Sequence, residues 1–253
     1  MVESEPRFSD AAARQFPLTH WSLVLAAVAS SSPVAAEALE AICQAYWYPL
    51  YAYARRCGQT PPDAQDLTQE FFQQLLTHRW LAAADREKGR LRTFLITAFK
   101  HFMAKEWRRQ TAGKRGGGQV HLPMDTAFAE SRLAAEPASP MPAEAAFDRQ
   151  WALTLLELTL QQLEAEYGGA NKAAEFGILK GTLVAAHRKL DYAALAAQLT
   201  CSEGAARVAV HRLRRRFREL YREQIARTLP AAADVEAELR HLANALAGTL
   251  ATT

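Results

Sequence analysis

Paired cysteines are missing from this 253-residue chain. Cys43, Cys57 and Cys201 are odd in number and widely spaced, and no CxxC pair exists. That excludes a disulfide scaffold and a cysteine-based zinc site, and predicts a reducing, cytoplasmic setting. Long apolar runs are missing too: nothing approaches the roughly 18–20 uninterrupted residues of a membrane span. The first residues carry Glu3, Glu5 and Asp10 without an apolar core, which speaks against a secretory signal. Catalytic signatures are also lacking. There is no HExxH, no GxxxxGK[ST] and no GxSxG. His78, His121, His187 and His241 have no ligand-spaced partners. The reading is therefore of a non-enzyme with no catalytic residue, no metal and no cofactor.

What is present is an ordinary globular composition, 49% apolar and 23% charged, enough for one or two cores. The net charge of +3 conceals a strong asymmetry. Between Arg86 and Arg115 ten Lys/Arg stand against Glu87 and Glu106. Between Glu203 and Arg222 seven Arg stand against Glu203 and Glu219. The rest of the chain is acidic. Two separate basic stripes point to a polyanion held at two places, as against the plainer reading of two solvated helix faces.

Alanine is abundant, β-branched runs are absent and apolar residues recur at three- and four-residue spacing, so the fold class is all-α. A first helix is expected over 36–57, kinked or split at Pro49 and stopped at Gly58. Pro61-Pro62-Asp63 opens a second, with Leu67, Phe71, Leu75 and Leu76 inward. A third covers 91–110, with Phe94, Leu95, Ala98 and Phe102 along one side, joined by Glu106 or Trp107. Residues 113–143, with Gly116-Gly117-Gly118, Pro123, Pro137 and Pro140, read as a flexible linker. Helices follow over 143–167, 172–183 and 191–199, and from Ser202 to Pro230. The last of these carries Ala206, Val210, Leu213, Phe217 and Leu220 as a buried stripe. A final amphipathic helix is expected over 234–247.

Two constellations carry chemistry. Two short helices joined across Thr200-Cys201-Ser202, the second rich in Arg, form a helix-turn-helix pattern, whose second helix enters the major groove. The other basic stripe interleaves Phe94, Phe99, His101, Phe102 and Trp107 with Arg92, Lys100, Lys105, Arg108 and Arg109. Cations there can track a nucleic-acid backbone while aromatic faces stack on unpaired bases. Phe94 and Phe102 sit at core spacing and are expected to be packing residues.

The run Asp63-Ala64-Gln65-Asp66-Leu67-Thr68-Gln69-Glu70-Phe71-Phe72 resembles the second conserved region of sigma-70-family RNA polymerase sigma factors. The runs Tyr192–Leu199 and Ser202–Arg216 resemble their fourth. The order and the short architecture are similar to the extracytoplasmic-function group. The resemblance implies a region 2-like helical bundle over 1–112, a linker over 113–143, a region 4-like helix-turn-helix domain over 144–228 and a helical extension over 229–253. It implies partners: core RNA polymerase through its β′ clamp and β flap, promoter DNA, and an anti-sigma factor or Ser/Thr kinase as candidate regulators.

Site residues follow from the same resemblance. Asp63, Asp66, Gln69, Glu70 and Phe72 would grip the polymerase clamp; on the same helix, spacing from Asp63 and Phe72 places Thr68 at the surface, where phosphorylation would add nearly two negative charges. Lys100, His101, Lys105, Trp107, Arg108 and Arg109 would read and melt the −10 element. Ser202, Ala205, Arg207, Val208, His211 and Arg212 would read the −35 element, with Arg214 and Arg215 nearer phosphates. Thr200 departs from the pattern, because glycine is usual in that turn. Ala209 stands where a basic residue is common. The helix after Pro230 exceeds the two-domain pattern; packing, partner binding and inhibition in cis are its candidate roles. The competing readings are a helix-turn-helix regulator that never touches polymerase and a helical interaction protein with incidental basic faces. The acidic helix at Asp63–Phe72 separates them, since a plain repressor has no use for it.

Overall fold

The computed structural model of the chain describes residues 33–77, 90–111, 126–134, 141–185, 190–229 and 234–248. All regular structure among them is helical: α1 (Pro33–Arg56), α2 (Pro61–Thr77), α3 (Leu91–Thr111), α4 (Thr126–Ala134), α5 (Ala143–Gly169), α6 (Ala173–Leu179) followed by a 3₁₀ turn (Lys180–Leu183), α7 (Tyr192–Gln198), α8 (Glu203–Thr228) and α9 (Val235–Ala247). Pro49 lies inside α1 without splitting it. The Gly116–Gly118 segment, Pro123, Pro137 and the side chain of Leu76 lie outside what is described.

Three of these helices end in the same way. After α1, α5 and α7 the chain makes a Schellman closure: Gln59 N–H donates to Ala54 O (3.2 Å), Lys172 N–H to Tyr167 O (2.8 Å) and Cys201 N–H to Ala196 O (3.0 Å). The closure forces one residue into the left-handed region. That residue is Gly58 (φ 90°), Asn171 (φ 57°) and Thr200 (φ 52°) in turn. Glycine carries no penalty there, asparagine a small one, and β-branched threonine the largest. Thr200, standing where glycine is usual, thus carries the strain in its backbone.

The chain divides into two compact units. Among the described residues, one unit is Leu158–Leu220. Its core joins Leu163, Phe176, Leu179, Val210, Leu213 and Leu220, with Tyr167, Leu195, Leu199 and Phe217 packed against it. The other unit takes the described parts of Thr19–Glu157 and Tyr221–Thr253. Its core is aromatic. Phe71 lies 5.1 Å from Phe99 and 5.8 Å from Phe102, and Tyr53 meets Phe99 edge-on at 6.2 Å. Tyr46 and Trp151 stack at 4.4 Å, both fully buried.

This partition departs from the expected boundaries at two points. The first part of α5, and at the other boundary the end of α8 from Tyr221 with all of α9, join α1–α4 rather than the unit that holds α7. The reason is in the side chains: Trp151 completes an aromatic stack with Tyr46, and Glu238 of α9 pairs with Arg92 of α3. The expected linker is also not featureless. Residues 126–134 form α4, held to α1 because Glu130 accepts from Tyr51 Oη (2.5 Å) and from Arg55 Nε (2.8 Å), while Arg132 lies 4.2 Å over the Tyr48 ring. The bond from Arg55 holds the Glu130 carboxyl below its usual range. Loop composition masked α4, because its one-turn apolar pattern is too short to register as a period.

Candidate functional site

Helix α2 starts on a reciprocal cap. Thr60 Oγ1 donates to Asp63 Oδ2 (2.6 Å) and accepts from the Asp63 N–H (3.4 Å), so the acid at the third helical position is tied to the cap. Leu67 and Phe71 face the core, as their spacing predicted. Asp63 and Asp66 are exposed and Glu70 is half-buried. Glu70 accepts from Gln74 Nε2 (3.2 Å) and stands 3.7 Å from Arg109 Nη1.

Helix α3 buries Leu91, Leu95, Phe99 and Phe102 and turns Lys100, His101, Lys105, Trp107, Arg108 and Arg109 outward. Trp107 is 65% exposed, while Glu106 takes the inward position that sequence spacing left open between the two. Glu106 is nearly fully buried, receives Arg109 Nε at 3.1 Å, and keeps its second oxygen without a hydrogen bond. Lys100 pairs with Glu144 at 2.8 Å across two half-exposed side chains, a contact worth ~0–1 kcal/mol. Phe94 is half-buried rather than core, and Phe99 takes the inward place instead.

In the Leu158–Leu220 unit, α7 and α8 are joined by a tight turn and each is capped. Asp191 Oδ1 accepts from the Ala194 N–H (3.0 Å), and Ser202 Oγ accepts from the Ala205 N–H (3.2 Å). The first turns of α8 expose Ala205, Arg207, Val208, His211 and Arg212. Arg207 lies 4.2 Å over the Tyr192 ring and 3.8 Å from Glu203, which fixes its stem while its side chain stays largely exposed. Beside them is a cleft of about 310 Å³ lined by Tyr167, Lys172, Glu175, Ala205, Val208 and Arg212. Among the described residues no group of His, Cys, Asp and Glu could hold a metal ion. No described helix is long and apolar enough to cross a membrane.

Residues 44–113 match the family model for sigma-70 region 2. Over that span the chain is similar to sigma-70 region 2. No curated protein and no solved structure matches it. The matched span takes in most of α1 and all of α2 and α3, whereas α4–α9 lie beyond it.

Within the matched span the structure corrects three site residues. Phe72 is fully buried, packed edge-on against Phe71 at 5.6 Å. Gln69 is buried as well, with its Nε2 unpaired. Neither offers surface to a partner, because helical spacing places both beside the Thr68–Phe71 core row. Thr68 is fully buried and its hydroxyl donates to Ala64 O (2.7 Å). A kinase has no access to it in the folded domain. Asp63, Asp66 and Glu70 remain as the outward acids of α2.

On α8, Arg214 is not directed at phosphate. Its Nε donates to Thr182 O (3.0 Å) and its Nη2 to Ala185 O (2.6 Å), holding the end of the 3₁₀ turn. Arg215 is exposed and bridges to Glu219 at 2.8 Å. Arg216, outside the predicted set, pairs with Glu166 at 2.7 Å. Sequence reasoning also missed Lys172. Its only signal was its place just after the Gly168-Gly169-Ala170-Asn171 turn. Arg92 belongs by sequence to the cationic stripe, yet it is 6% exposed and bound to carboxylates.

Proposed function

We propose that the chain is a bacterial RNA polymerase sigma factor of the extracytoplasmic-function type. It directs core polymerase to promoters and helps open the duplex. The observation that carries this is the outward face of α3 in the matched span. Lys100, His101, Lys105 and Arg108 lie along it with Trp107 exposed between them. Cations on that face follow a strand's phosphates, and an exposed indole stacks on a base drawn out of the duplex. Extruding a base costs a few kcal/mol, and these contacts recover it in the −10 element.

Asp63, Asp66 and Glu70 on α2 provide an acidic row for the β′ clamp. Val208, His211 and Arg212 at the start of α8, with Ala205 and Arg207, suit the edges of a −35 element. The Ser202 cap sets the entry of that helix into the major groove. Two modest contacts on one chain act together through effective concentration. RNA synthesis stays with the polymerase, and the sigma factor works as one copy per holoenzyme in the cytoplasm.

The test is gel filtration of the purified protein with bacterial core RNA polymerase. Co-elution of wild type but not of Asp66→Arg is the expected result. Failure of wild type to co-elute, with duplex binding retained, establishes instead a helix-turn-helix regulator that does not use polymerase.

A further inference from the structure

Arg92 occupies an unexpected place on α3. It precedes Phe99 by seven residues, two turns, so the two side chains leave the helix only about 20° apart. Phe99 is fully buried in the aromatic core. A guanidinium on that stripe is tolerable only where carboxylates meet it inside, since an unpaired buried charge is strongly destabilising. Both carboxylates come from residues far along the chain. Glu238 of α9, 1% exposed, receives Arg92 Nε at 3.0 Å. Asp148 of α5 bonds Arg92 Nη1 and receives His241 Nε2 of α9 at 2.8 Å. Arg90 Nη1 closes on the other Glu238 oxygen at 2.7 Å. The phenols of Tyr46 and Tyr221 lie beside this cluster, and burial foremost, with Glu238 adding to it, pushes the Tyr221 hydroxyl up to about 12.

We infer that Glu238 is a positioning residue for the strand-facing surface of α3, acting through Arg92. The inference rests on the promoter-opening role proposed above. The physical chain is short. With Glu238 in place, Arg92 stays inward, and Lys100, His101, Lys105 and Arg108 are held outward on the opposite side of the same rigid helix. Without the Glu238 charge, the buried Arg92 keeps only Asp148, which it shares with His241, and its guanidinium is under-compensated. It reaches water only if α3 rolls or α9 lifts away, and rolling α3 displaces the whole outward row. The helix after Pro230 is therefore part of the −10-facing machinery of this protein, although it is the most distant element in sequence.

The experiment uses the full chain as wild type, Glu238→Gln, and the double variant Arg92→Met with Glu238→Met. The double variant removes the charges of both partners and leaves Asp148 with His241. Two readouts are taken well below the unfolding temperature: amide hydrogen exchange resolved by segment, and binding of a fluorescein-labelled single-stranded DNA oligonucleotide. The expected result for Glu238→Gln is at least about tenfold faster exchange in the first half of α3, strand affinity at least about fivefold weaker, and unchanged exchange in α7. The double variant should return both readouts towards wild type. Faster exchange confined to α9, or wild-type strand affinity in Glu238→Gln, overturns the inference and leaves α9 as packing alone. If wild type itself fails to bind the strand, the promoter-opening role falls and the inferred function of Glu238 with it, and the exchange data then show only whether Glu238 holds α3 in place.

Discussion

Arg92 and Glu238 stand 146 positions apart in the chain, yet their side chains meet at 3.0 Å with almost no exposure to water. Breaking such a pair from one side leaves the other charge buried. Arg92→Ala or Glu238→Ala should therefore cost ~3–5 kcal/mol, visible as a large drop in the urea midpoint followed by tryptophan fluorescence. Removing an exposed pair such as Lys100–Glu144 should change the unfolding free energy by ~1 kcal/mol or less.

Thr200 carries a left-handed backbone inside a Schellman closure that Gly58 makes without strain. Thr200→Gly should stabilise the folded chain by ~1 kcal/mol, because the side chain's clash with its own backbone is relieved. A thermal unfolding scan checks it. A lowered midpoint would show that the bond from Thr200 Oγ1 to Leu199 O outweighs the strain.

Phe72 and Asp66 lie on one helix but do different work. Phe72→Ala should destabilise by ~3–5 kcal/mol through the cavity it leaves. Asp66→Arg, on the exposed face, should leave stability within ~0.5 kcal/mol while abolishing co-elution with core polymerase. Denaturation and gel filtration of the two variants separate the effects.

Arg212 and Arg214 give contrasting salt signatures. Arg212→Ala removes a cation facing duplex DNA and should lower the slope of log affinity against log salt by ~0.9. Arg214→Ala frees the carbonyls of Thr182 and Ala185 instead. It should lower thermal stability and leave that slope near its wild-type value. Fluorescence anisotropy over a salt series distinguishes them.

The three thiols should differ in reactivity. Burial pushes the Cys43 thiol up to about 12, so at pH 8 only ~10⁻⁴ of it is thiolate, the nucleophilic form. Cys57 and Cys201 are exposed. Ellman's reagent should titrate two thiols in the native protein and the third only after unfolding. Burial also raises the Cys57 thiol, so raising the pH should speed its labelling.

The helices other than α4, and the main apolar stripe that several of them turn inward, were determined by the sequence alone. The spacing of Leu67 and Phe71, and of Ala206, Val210, Leu213 and Leu220, is a local property of a 3.6-residue turn, and the folded chain keeps it. The Asp191 and Ser202 caps are equally local, since donor and acceptor sit three residues apart. The outward cationic row of α3 was legible for the same reason. Only the tertiary structure decided which charges are free and which are buried. Arg92, Arg214 and Arg216 look like members of the basic stripes until their acceptors appear, and those acceptors stand 146, 32 and 50 positions away. It decided likewise that Phe72, Gln69 and Thr68 face inward, and that α9 belongs with α3. Pairing across such separations depends on how whole helices pack, and no period in the sequence encodes it.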